Sequence, residues 1–190
     1  LVWARVAELE LSMPNYDKSR NAAERAVNLN PNLARTQSIL GFTNLTRIDI
    51  KTAKENFNKA IELDQADPLP RLGLGLATIR EGNLEQGREQ IEVAAGLDPE
   101  NSLIRSYLGK AYYEEKRDAE AGTQFDLAKA RDPKDPTPYF YDAISKQTEN
   151  RPVEALQDLT KSIELNKHRA PYRSKLSLDQ DVAAGVGLDE

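Results

Sequence analysis

The 190-residue chain contains no cysteine, so it has no disulfide, no thiolate nucleophile and no cysteine metal ligand, and it suits reducing and oxidising compartments equally. Its one histidine, His168, stands beside Lys167 and Arg169 with no second histidine or cysteine to complete a metal site or a catalytic triad. No apolar run approaches the roughly 20 residues that cross a bilayer, so no membrane span is expected. An excess of positive charge is missing too. The 26 lysines and arginines are scattered among 31 acidic residues, for a net charge of -5 and a pI near 5.2, which argues against a nucleic-acid partner. The glycine pair Gly73 and Gly75 lacks the third glycine of a dinucleotide loop and lies in a helical pattern. Carboxylates at Glu89, Glu92, Glu114 and Glu115 lie beside Arg88, Lys110, Lys116 and Arg117 and read as solvated helix faces. Neither an enzyme nor a cofactor nor a metal is expected. The chain starts Leu-Val-Trp without an initiator methionine or a basic segment followed by an apolar one, and it reads as a fragment or a processed chain.

What the sequence does have is a register of 34 residues that recurs without insertion or deletion. Trp3, Arg71, Arg105 and Tyr139 occupy one place in it. Three further places hold small residues: Ala7, Gly41, Gly75, Gly109 and Ala143; Ser19, Ala53, Gly87, Ala121 and Ala155; Ala26, Ala60, Ala94, Ala128 and Ser162. Bulk is supplied at one more by Phe57, Ile91, Phe125 and Leu159. Small residues let helices approach closely, and the large ones fill the space that remains; these are packing positions, and a leucine at Ala60 or Ala128 should overpack.

Each period carries two stretches with apolar or small residues at i, i+3, i+4 and i+7, which places them on one face of a helix. Pro31, Pro99 and Pro133 end three periods, because proline has no amide for a continuing helix. Asp67-Pro68 and Asp135-Pro136 read as helix starts, with the aspartate as cap and proline in the first turn. Asn150 and Pro152 mark another start, and Glu81-Gly82-Asn83 a turn with a left-handed glycine.

A helix-turn-helix unit of this length, with Leu108-Gly109, Ala111-Tyr112, Ala121, Phe125, Ala128 and Asp132-Pro133 in the fourth period and Leu40-Gly41, Ala53, Phe57 and Ala60 in the second, resembles the tetratricopeptide repeat. Asn44, Gln65, Lys167 and Ala23 depart from that pattern. The resemblance implies an all-α, right-handed superhelical solenoid of antiparallel helix pairs, of the kind found in bacterial arrays. Five repeats are expected, at about 1–33, 34–67, 68–101, 102–135 and 136–169. Residues 170–190 would form a partial sixth repeat or a capping helix with a loose tail, carrying Tyr172, Leu176 and Leu178. The cell envelope (periplasm) and the cytoplasm both fit such an array.

In the resembling arrays the first helices line the concave side, where the repeat pattern leaves composition free. Here the third period offers Leu69, Leu72, Leu76 and Ile79, flanked by Arg35, Phe42 and Leu45 in the second, Lys110 and Tyr113 in the fourth, and Phe140 and Ile144 in the fifth. An apolar groove with a basic edge suits a protein or peptide that buries hydrophobic anchors, so the expected function is a non-catalytic binding scaffold. The lysine, asparagine and arginine that clamp C-terminal carboxylates in some family members are absent at Ala4, Glu8, Ser38, Phe42, Leu72 and Leu76. The alternative is self-association through unfinished repeat ends carrying Val2, Val6, Leu176 and Val182.

Overall fold

The computed structural model describes residues 1–13 and 15–167; His168 and the expected sixth repeat, with Tyr172, Leu176, Leu178 and Val182, lie outside them. All regular structure among the described residues is α-helical, in sequential antiparallel pairs that fall into two units. Unit 1 holds α1 (Val2–Ser12), α2 (Tyr16–Leu29), α3 (Ala34–Thr46) and α4 (Ile50–Leu63); α1 packs on α2 and α3 on α4, with α2 and α1 both against α3. Unit 2 holds α5 (Pro68–Arg80), α6 (Leu84–Leu97), α7 (Ser102–Glu114), α8 (Asp118–Arg131), α9 (Pro136–Thr148) and α10 (Pro152–Lys167). There α5–α6, α7–α8 and α9–α10 are the pairs, joined by α6 on α7, α8 on α9 and α7 on α9.

The helix boundaries follow from local chemistry. Asp67 and Asp135 accept hydrogen bonds from the amides of Leu69 and Thr137, each at 3.0 Å, directly ahead of Pro68 and Pro136. Asp49 and Asn101 cap α4 and α7 in the same way, through the amides of Thr52 and Ile104 at 3.2 Å. The turn inside each of four pairs reverses on one left-handed residue: Ile48, Gly82, Lys116 and Asn150, at φ 62°, 92°, 61° and 61°, spaced by the 34-residue register. Gly82 adopts this conformation freely, whereas Ile48, a β-branched residue, does so under strain.

The small-residue positions mark close approaches within pairs. A Cβ on Gly41 would stand 2.7 Å from the Phe57 ring, and one on Gly109 2.5 Å from the Phe125 ring. Gly75 and Gly87 bring backbone against backbone, since a Cβ on either would meet the other's carbonyl oxygen, at 2.6 and 2.7 Å. In the first pair Ala7 and Ala23, both fully buried, stand at the places of Gly41 and Phe57, so the small residue at 23 goes with an alanine in place of glycine at 7. That explains the departure at Ala23.

A polar rung also recurs in three successive pairs, always between residues 19 apart. It runs from Asn56 to Gln37 (3.1 Å), Arg71 to Gln90 (2.8 Å) and Arg105 to Gln124 (2.9 Å). The first pair has Trp3 and Ala22 at these places and no such rung; there the Arg25 guanidinium, three residues beyond Ala22, lies 4.8 Å over the Trp3 ring.

Candidate binding surface

In unit 2 the first helices α7 and α9 lie side by side, held by an edge-to-face contact of Tyr107 and Tyr141 with ring centroids 5.7 Å apart. Above this buried pair the register brings Lys110 of α7 next to Ile144 of α9, its equivalent one period on, and Tyr113 and Phe140 complete the patch. Ile144 is exposed and the other three are half-buried. Phe140 packs edge-on against Tyr141 at 5.4 Å. The Lys110 ammonium sits 5.6 Å over the Tyr141 ring and 3.4 Å from Glu114, and Lys116 lies 5.5 Å over Tyr113. The result is an aromatic and aliphatic surface with cations at its edge.

The remaining residues singled out from the sequence lie elsewhere. Phe42 and Leu45 are fully buried in α3; Phe42 meets Phe57 of α4 edge-on at 4.8 Å. Leu72 is fully buried and Leu76 nearly so, while Leu69 and Ile79 are half-buried, with Ile79 directed at the Gly87 position of α6. As they stand, Phe42, Leu45 and Leu72 offer no surface to a ligand. The physical reason is plain in α3, which packs on α1, α2 and α4 and so buries two faces; an apolar row on the second face is then core. Arg35 is engaged, gripping Glu8 through two hydrogen bonds of 2.9 Å from α3 to α1.

Two clusters of charge lock the helices of unit 2. Arg88, Glu92 and Glu115, which read from the sequence as solvated helix faces, instead form the first, because Arg88 is buried between α6 and the end of α7 and needs both carboxylates as partners; the second was not anticipated from sequence. Arg88 of α6 bonds Glu115, at the end of α7, through Nε at 2.9 Å, and Glu92 through Nη1 at 2.6 Å; the Tyr112 hydroxyl donates to Glu92 at 2.5 Å. Burial opposes the Glu92 charge, but the bonds from Tyr112 and Arg88 prevail and hold its carboxyl below the usual range. Tyr112 is pushed up, by burial first and then by the adjacent carboxylate. In the second cluster, Lys129 of α8 and Lys146 of α9 alternate with Asp142 of α9 and Asp158 of α10 in a closed ring. Lys129 lies 2.5 and 3.0 Å from the two aspartates, and Lys146 2.8 and 2.5 Å. Burial works against both charged forms here, yet hydrogen bonding within the ring wins, raising Lys146 and lowering Asp158. With each charge matched and bonded, these groups hold helices together. Among the described residues no cluster of histidine, cysteine and carboxylate side chains has the makings of a metal site, and no helix is long and apolar enough to cross a membrane.

No protein-family model and no curated protein matches the sequence. Solved structures do resemble the fold. TTC0263, a thermophilic TPR protein in Thermus thermophilus, is similar with a TM-score of 0.77 and 20% identity, covering 94% of this chain and 98% of that one. YrrB, a TPR protein with an unusual peptide-binding site, is similar at 0.58 and 19%, covering 95% and 90%. MamA from Desulfovibrio magneticus RS-1 is similar at 0.64 and 14%, covering 88% and 95%. Together with the 34-residue register and the ten paired helices among the described residues, these likenesses show that the chain has the tetratricopeptide-repeat fold.

Proposed function

We propose that the chain is a non-catalytic binding scaffold that takes a protein or peptide segment on the α7–α9 face, using Ile144, Phe140 and Tyr113 as the apolar floor and Lys110 as the basic edge. The observation that carries this reading is the patch itself. These four side chains keep accessible surface, although Tyr107 and Tyr141 directly beneath them are buried. An amphipathic helix or extended segment can bury one or two apolar anchors there, each contributing about 1.5–3 kcal/mol when fully desolvated, while an acidic side chain of the ligand meets Lys110. The likeness to YrrB, a protein described as having a peptide-binding site, supports a peptide as the ligand class.

The test is selection of peptides from a displayed library on the intact chain, followed by affinity measurement on variants. Selected peptides should be rich in apolar anchors. Ile144→Asp should weaken them at least about tenfold, a loss of about 1.4 kcal/mol, with unchanged far-UV circular dichroism. Full affinity in a folded Ile144→Asp variant would place the site elsewhere.

A further inference from the structure

The junctions between successive pairs in unit 2 recur at fixed places in the register. Lys129 of α8 reaches Asp142 of α9, thirteen residues on, at 2.5 Å. One period earlier the same two places hold Ala95 and Leu108, both buried. Arg88 of α6 reaches Glu115, 27 residues on, at the end of α7. In α10 the place of Lys129 belongs to Ile163, 52% exposed, and that of Arg88 to Leu156, 65% exposed. Between them Leu159 is 38% exposed, although its equivalents Ile91 and Phe125, on helices that receive a following helix, are inaccessible. Among the described residues nothing packs on the outer face of α10, which is apolar.

Its counterpart lies on α1. The first-period equivalent of Asp142 is Val6, and that of Glu115 is Met13, which is exposed. Val2 and Leu9 are exposed as well, whereas Ile104 and Pro138 at the first of these places, and Ala111 and Ser145 at the second, are buried where a preceding pair packs on them. Both halves of a junction are therefore present on one chain, apolar facing apolar: Ile163 with Val6, and Leu156 with Met13.

We propose that a second copy of this chain docks head to tail, its α1 taking on α10 the place that α9 takes on α8. Such a contact is heterologous, so copies add in series rather than stopping at a symmetric pair. It continues a junction already built twice within unit 2, and it is independent of the α7–α9 patch.

Sedimentation velocity across a concentration series tests this with blocked ends. Wild type should form species that grow beyond dimers as concentration rises. Leu156→Asp and Met13→Asp, both at exposed positions, should each raise the apparent dissociation constant at least tenfold with far-UV circular dichroism unchanged. An equimolar mixture of the two should stop at dimers, because each retains one competent end. Ile144→Asp should leave association intact, which separates this junction from the peptide surface. A monomer at every concentration would overturn the proposal and point to the chain's own residues 168–190 as the cover of α10. Loss of association in Leu156→Asp but not in Met13→Asp would overturn it in favour of two α10 faces meeting.

Discussion

At the scale of single residues, Gly75 and Gly87 form the tightest backbone-to-backbone approach among the described glycines. Each Cβ position is blocked by the other's backbone oxygen at 2.6–2.7 Å, and backbone cannot step aside as a side chain can. Gly75→Ala should cost about 1–3 kcal/mol, read as a lower urea midpoint. Gly109→Ala meets the Phe125 ring instead, so adding Phe125→Leu should recover part of its loss, as the Ala143 and Leu159 combination in the fifth period implies. A failure of the second substitution to help would mean that the ring is not the obstacle. Ile48 makes the opposite case. Its side chain is 77% exposed and its φ is 62°, so it contributes little packing while holding a left-handed backbone that costs an L-residue about 1–2 kcal/mol. Ile48→Gly should raise stability by about 1 kcal/mol in chemical denaturation, and Ile48→Asn by somewhat less.

At the scale of elements, the ring of Lys129, Asp142, Lys146 and Asp158 ties α8, α9 and α10 together. Removing one member strands a buried opposite charge, so Asp142→Ala should cost about 3 kcal/mol, measured by urea unfolding. The pH dependence has a definite sign. Asp158 and Glu92 titrate below their ordinary range in the folded chain, so their stabilisation is present above about pH 4 and is lost as pH falls through their lowered values. Lys146 titrates above its ordinary range, so its contribution is present below about pH 10.4 and disappears only at higher pH. Asp158→Asn should make the acid limb of the stability profile shallower. A limb of unchanged slope in that variant would remove Asp158 from the account. None of this ring was legible in the sequence, because its members belong to three helices and the combination occurs in no other period. The helix pairs, the caps at Asp67 and Asp135 and the turn at Gly82 were legible, since each rests on short-range spacing that the register repeats. The candidate surface lay between these extremes. Lys110, Tyr113, Phe140 and Ile144 kept accessible surface, but Phe42, Leu45, Leu72 and Leu76 did not. An apolar row on a helix looks the same whether it faces a ligand or a neighbouring helix.

For the whole chain, the first pair should be the weakest. α1 starts at Leu1 without a side-chain cap, and Val2 and Leu9 are exposed at places where later first helices are buried. Repeat arrays unfold from poorly supported ends, and Trp3, the only tryptophan, sits in α1. Its fluorescence should therefore change at lower urea than far-UV circular dichroism does, and coincident transitions would show that the first pair unfolds with the rest.

The polar rungs have a consequence for descent by duplication. Because Gln37–Asn56, Arg71–Gln90 and Arg105–Gln124 each close inside one period, a copied period inherits its rung intact wherever it is inserted. The contacts between periods are not inherited in that way: a copy of 68–101 placed elsewhere would carry Arg88 but not Glu115. The chain bears the imprint of this difference. Glu149 stands at the place of Glu115 one period on, while the place of Arg88 there holds Gly122. Internal bonds thus travel with the repeat, and the junctions must be matched anew after each duplication.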